Sequence, residues 1–229
     1  LPPALTEAAS ALATEEGHES GWLFKANRTT LYPFLTYAQS RSHREQLYTA
    51  YLNRARRGNA QDNCHLAEQI ATLRVEKANI LGCPNYASYV LQDSMAKGPE
   101  RVLEFLDQIW EAASASAQED AALLQDKMHR DGIEGALKAW DWWYYAEQVR
   151  TEQFDFREDE VKPYFSADLV LKGAMSVASS LFHIQFQENT DLPVYHPEVR
   201  TFEVRNTESS EVIGILYIDY YARASKRGG

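Results

Sequence analysis

Residues 212–229 read VIGILYIDYYARASKRGG. Val212 to Tyr221 are rich in β-branched and aromatic side chains, and a basic run ending in two glycines follows. Such residues fit a pleated, half-buried surface, so the run predicts a strand. Just upstream, TFEVR (Thr201–Arg205) has the same character, and the polar NTESSE between them supplies turn residues. Together they predict an antiparallel hairpin. Ile213, Ile215, Tyr217 and Asp219 alternate with Gly214, Leu216, Ile218 and Tyr220, so the two sets face opposite sides of a sheet. The first set mixes apolar and charged groups, which suits a partly exposed face. Gly214 lets another backbone approach closely.

Outward from the hairpin, the chain reads as helix. Leu5, Ala8, Ala9 and Leu12 recur at helical spacing behind Pro2-Pro3, with Gly17 as a stop. GWLFKAN (Gly21–Asn27) is short and aromatic and predicts a brief strand. Ser42 and Glu45 fit a capping box ahead of Leu47, Tyr48, Tyr51 and Leu52. Leu66, Ile70, Leu73 and Ile80 mark one side of a further helix, closed by Gly82 and Pro84. Asn85 offers a cap for a helix to about Met95. Pro99 suits a first helical position, and the longest helix runs from it past Met128. Asp141 precedes WWYYAEQVRTEQF as its N-cap, and Ser166 begins a helix reaching about His183. The fold class is therefore mainly α with a small C-terminal antiparallel β-hairpin: residues 1–185 form a helical body and 186–229 a loop plus the hairpin.

The composition narrows function. Lys and Arg number 23 against 33 Asp and Glu, for a formal net charge of -10. Phosphate backbones repel such a surface, so no nucleic-acid partner is expected. Arg54, Arg56 and Arg57, the densest basic cluster, read as a solvated helix end. No apolar stretch approaches the roughly 20 residues of a membrane span, so no membrane partner is expected. Cys64 and Cys83 make no disulfide framework and suit a reduced compartment. Leu1 in place of Met, and a loop that stops at Gly229, read as marks of a piece of a longer chain.

Familiar catalytic patterns are few. No two of the six histidines stand in the His-x-x-x-His spacing that puts two imidazoles on one helical face. A glycine-rich phosphate loop and a Gly-x-Ser-x-Gly elbow are missing from the sequence. Cys64-His65 reads as a half-buried thiol beside a surface histidine, and Glu158-Asp159-Glu160 as solvated loop. Trp140, Trp142, Trp143, Tyr144 and Tyr145 could line a ligand cleft, though such blocks more commonly pack a core. His196, held extended by Pro197, reads as a turn histidine bonded to nearby backbone. Arg223, Lys226 and Arg227 could attract a peptide's terminal carboxylate, and Gly228 and Gly229 could leave N–H groups free for substrate. Solvated loop charges are the plainer reading of the cations.

Several long segments, taken in order, carry a resemblance. WDWWYYAEQVRTEQFDFREDEVKPYF, PVYHPEVRTFEVR and GILYIDYYARASKRGG are similar to the thimet oligopeptidase family of zinc metallopeptidases, and within it to the bacterial peptidyl-dipeptidase branch. GWLFKANRTTLYPFLTYAQSRSHREQLYTAYLNRA and VEKANILGCPNYASYVLQDSMAK fit the same family, so nearly the whole chain is covered. Two departures are Ala139, where the family commonly has Pro, and His183, where it favours Gly. The resemblance implies a zincin-like helical body with a channel admitting short unfolded peptides. It also implies a full-length enzyme that hydrolyses oligopeptides and, in this branch, releases C-terminal dipeptides. Zinc, held there by a His-Glu-x-x-His motif and a further Glu, would activate water. None of those ligands matches a residue of this sequence, so no catalytic or metal residue is assigned and no zinc is expected on this chain alone. The expected partners are peptides and the remainder of the same polypeptide, and the expected compartment is cytoplasmic, with periplasmic as the alternative. Channel wall and part of the sheet beside the active site would be the contribution of this piece. A non-enzymatic helical scaffold or partner-binding module is the competing class.

Overall fold

The computed structural model describes residues 1–155, 158–221, 223, 225 and 226. They form two compact units, Leu1–Phe154 and Asp155–Gly229. The division falls well before the 185/186 boundary read from the sequence, because the helix ahead of that boundary packs on the sheet.

The first unit is helical: α1 (Pro3–Glu15), α2 (Arg28–Tyr37), α3 (Arg41–Leu52), α4 (Cys64–Ile80), α5 (Tyr86–Leu91), α6 (Pro99–Arg130) and α7 (Trp142–Phe154). Small polar residues start α2, α3 and α5 by accepting otherwise unpaired backbone N–H groups. Asn27 Oδ1 accepts from Thr30 N at 2.9 Å, and Asn85 Oδ1 from Ser88 N at 2.8 Å. The capping box at Ser42 is not formed. Ser40 lies extended and its Oγ accepts from His43 N, so the helix begins at Arg41, leaving Ser42 in its first turn. GWLFKAN is likewise no strand but irregular chain, since among the described residues the strands all belong to one sheet that does not include it. Its Phe24 instead meets Phe34 edge-on at 4.8 Å.

Burial concentrates where α2, α3, α6 and α7 meet. Leu124 and Met128 of α6 pack on Tyr145 and Val149 of α7, flanked by Leu137, Trp142, Tyr144 and Ala146. Leu31, Phe34 and Leu35 of α2 are buried as well. Each such side chain contributes about 1.5–3 kcal/mol through apolar burial. The aromatic block is thus chiefly packing. Trp143 meets Tyr32 edge-on, and the Arg44 guanidinium lies 4.3 Å from the Tyr144 ring centroid. By contrast, the apolar row of α4 (Leu66, Ile70, Leu73, Ile80) faces solvent, as do Leu103, Phe105, Leu106, Ile109 and Trp110 of α6.

The second unit holds a short α8 (Glu158–Val161), a 3-10 turn at Lys162–Tyr164, α9 (Ala167–Phe182) and three strands, β1 (Ile184–Glu188), β2 (Arg200–Asn206) and β3 (Val212–Ile218). The acidic 158–160 run is therefore helical rather than loop. The sheet is an antiparallel meander in the order β1-β2-β3, so the hairpin read from the sequence gains a third strand. A bulge between Val204 and Arg205 interrupts the β2–β3 register. Leu171 of α9, Phe202 and Ile218 form the core, with Met175, Phe186 and Leu216 against them. α9 ends at His183, whose φ of 53° and ψ of 47° are left-handed. That conformation suits glycine and explains why a glycine-favouring position falls here. β3 stops at Ile218, short of Tyr221, and the backbone from Asp219 leaves the sheet.

Candidate functional site

The chain leaving β3 carries the site residues expected from the sequence. Arg227, Gly228 and Gly229 lie outside the described residues. Arg223 and Lys226 are brought together, but by a carboxylate of their own chain. Asp219, one residue beyond β3, accepts from Arg223 Nη1 and Nη2 at 2.7 Å each. Lys226 Nζ lies 2.7 Å from Asp219 Oδ1 and also donates to the backbone oxygens of Asp219 and Tyr221, at 2.9 and 2.6 Å. All three N–H bonds of the ammonium therefore have acceptors within reach. Arg223 Nε reaches Ser225 Oγ at 3.2 Å.

A fourth donor reaches the same carboxylate from another segment. Tyr195, in the β1–β2 connection, donates its hydroxyl to Asp219 Oδ2 at 2.9 Å, and Tyr217 of β3 reaches Pro193 O at 3.3 Å. The Arg223 guanidinium, with Lys226 and the Tyr195 hydroxyl, holds the Asp219 carboxyl well below the usual carboxylate range. The same hydrogen bond to Asp219 raises the Tyr195 phenol. Asp219 and Tyr195 were missed as site residues. The i, i+4 spacing of Asp219 and Arg223 was a visible signal; the reach of Tyr195 was not. His196 behaves as the turn histidine expected, its Nδ1 accepting from Glu198 N at 3.3 Å.

The first unit contains a second ion knot. The carboxylate of Asp141 does not cap α7; it faces two guanidinia. Arg44 Nη2 donates to Oδ1 at 2.9 Å, Arg41 Nη2 to Oδ2 at 2.7 Å, and Lys138 N to Oδ2 at 3.1 Å. Arg44 also donates to the carbonyls of Ala38, Gln39 and Trp140. Burial pushes the Asp141 carboxyl up, but the two guanidinia and the Lys138 N–H outweigh it and leave it lowered. In the same unit a hollow of about 780 Å³ is lined by Trp22, Phe24, Phe34, His43, Gln46 and Leu47, among others. Its wall is mostly apolar and holds no paired acid and base.

Cys64 is exposed and Cys83 buried, both as free thiols. The hydrogen bond between the Cys64 side chain and Asp62 raises the Cys64 thiol above its ordinary range. Among the described residues no group of three His, Cys, Asp or Glu stands close enough to hold a metal ion. Zinc therefore does not fit onto these side chains. Among the same residues, no helix is long and apolar enough to cross a membrane.

Residues 34–229, most of the chain, match the sequence model of peptidase family M3. The chain belongs to that family. M3 enzymes are zinc-dependent metallopeptidases, as the resemblance implied. Among its relatives, the dipeptidyl carboxypeptidase of Escherichia coli (strain K12) is 37% identical over 222 residues, 96% of this chain and 32% of that protein. That of Salmonella typhimurium is 38% identical over 231 residues, covering 100% of this chain and 33% of its own. Oligopeptidase A of Salmonella typhimurium is 34% identical over 234 residues, again the whole chain and 34% of the relative. The chain spans about a third of the length of these M3 relatives.

Proposed function

We propose that this chain is part of a longer zinc peptidase of family M3, one that cleaves oligopeptides and releases C-terminal dipeptides. In it, the helical unit contributes channel wall and the sheet unit lies beside the active site. The observation that supports this most is end-to-end similarity, at 37 and 38% identity, to two dipeptidyl carboxypeptidases about three times as long. The sequence itself contains no His-Glu-x-x-His. The zinc and the water it activates therefore belong to parts of the enzyme beyond these residues, and this chain's share is shape. The solvent-facing apolar rows of α4 and α6 agree with that reading, since exposed rows of this extent usually have a partner surface.

Two proteins test the proposal: the 229-residue chain, and the product of the full gene that encodes it. With an N-terminally blocked oligopeptide and added zinc, the full product releases dipeptides from the C-terminus and loses activity to a chelator, while the 229-residue chain releases nothing. Chelator-sensitive cleavage by the short chain would overturn the reading, and so would a full product that cuts no peptide.

A further inference from the structure

The geometry points to a proton-sensitive clasp on the connection between α6 and α7: neutral His129 steadies the Gln125 amide, and a proton on the imidazole releases Leu137. Gln125 and His129 stand one turn apart on α6 and share a face. Gln125 Oε1 accepts from Leu137 N at 2.6 Å, while its Nε2 donates to Gly135 O at 2.9 Å. These two contacts assign the amide, because exchanging O and N would set oxygen against carbonyl oxygen and N–H against N–H. The second hydrogen on Nε2 is left for His129 Nε2, 2.8 Å away. A ring nitrogen that faces a donor must accept. Neutral His129 therefore carries its proton on Nδ1.

Protonation turns that acceptor into a donor. Its N–H then meets the N–H of Gln125, and Gly135 O, 3.3 Å from His129 Nε2, is the acceptor within reach. Gln125 must swing away or turn its amide over, and either movement takes Oε1 from the Leu137 N–H. Leu137 packs on the core formed by Leu124, Met128, Tyr145 and Val149, so the clasp ties the connection to that core. Arg41 Nη2 still donates to Ala136 O and Lys138 N to Asp141, which confines the release to the middle of the connection. The charges around His129 are otherwise engaged or opposite in kind. Lys127 is held by Asp131 and by Glu152 of α7, and Arg130 faces the same Glu152. Asp141 is held by Arg41 and Arg44 of α3. Asp126 on α6, and Glu134 and Lys138 on the connection, complete the set with the Tyr145 phenol of α7. Among the described residues no carboxylate pairs with the His129 ring. Carboxylates, phenols and ammonium groups ordinarily titrate outside about pH 5 to 8, whereas imidazole titrates within it.

The test uses the product of the full gene and reads hydrogen exchange at the Leu137 amide, corrected for the chemical exchange rate at each pH. Between about pH 8 and about pH 5.5, protection at Leu137 falls about tenfold in the wild type, the loss of one hydrogen bond. His129→Gln keeps an accepting oxygen near the place of Nε2 but takes up no proton, so its protection stays level across that range. Gln125→Met is unprotected at both ends and shows no step. Circular dichroism establishes that each variant is folded; should Gln125→Met fail to fold, the comparison of wild type with His129→Gln decides by itself. Wild-type protection that does not change with pH overturns the inference. So does a step that survives in His129→Gln. Peptide cleavage does not enter the measurement, so the clasp stands or falls apart from the peptidase reading.

Discussion

Asp141 and Asp219 each draw two cations onto one carboxylate, yet they do different work. The partners of Asp141 stand 97 and 100 positions away in sequence, and its side chain and that of Arg44 are 0 and 1% exposed. The cationic partners of Asp219 stand 4 and 7 positions away, and the Asp219 and Arg223 side chains keep 13 and 15% of their exposure. The first knot ties α3 to the start of α7 across the helical unit and closes the polar side of its core. The second holds two near-neighbour cations and, through Tyr195, one group of the β1–β2 connection. Distance along the chain decides whether an ion knot specifies tertiary structure or local path.

The largest effect is expected at the buried knot. Asp141→Ala strands the Arg44 charge without its carboxylate, and removal of one partner of a buried pair costs about 3–5 kcal/mol. Urea unfolding followed by tryptophan fluorescence reads this directly, because Trp140, Trp142 and Trp143 adjoin the site. Making both residues apolar recovers little, since Arg44 also serves three backbone carbonyls. Full recovery in the double variant would mean that the carbonyl bonds carry no weight.

A smaller effect, with a pH signature, is expected at Asp219. Its folded pKa is depressed, so its contribution is fully present above the ordinary carboxylate value and fades as pH falls below about 4. Asp219→Asn should weaken the sheet unit at neutral pH and flatten its loss of stability in acid. One molar salt should also loosen the wild-type knot more than the variant, since the Debye length is then about 3 Å. Hydrogen exchange of β3 amides at several pH values checks both points; identical acid profiles would put the stabilisation elsewhere.

The smallest effect lies at the end of α9. His183→Gly relieves a left-handed backbone and should stabilise by about 1 kcal/mol, visible as a raised Tm of the sheet unit. A lowered Tm would show that the His183 side chain contributes more than the backbone conformation costs.

Residue pattern alone settled a good part of this molecule. α6 follows from Pro99 at its start and an unbroken helix-forming run, and β2 and β3 follow from alternation and a polar turn. Family membership was legible because several long segments occur in order. The strand at Ile184–Glu188 was not, because five residues with two glutamines carry too short a period to separate from loop. The capping box at Ser42 failed because two serines compete for one helix start, and only backbone geometry chooses between them. At the candidate site, Arg223 and Lys226 could be named from the basic run, but the choice between substrate contact and internal brace depended on Asp219 and Tyr195.

Local order and ancestry, then, were written in the amino-acid sequence, since periodicity, caps and motif order act over a few residues at a time. That Asp141 meets Arg41 and Arg44, and that Tyr195 reaches Asp219, was decided by the tertiary structure alone. A charge pairs with whatever the fold brings within about 3 Å, and no local pattern encodes a partner a hundred positions away.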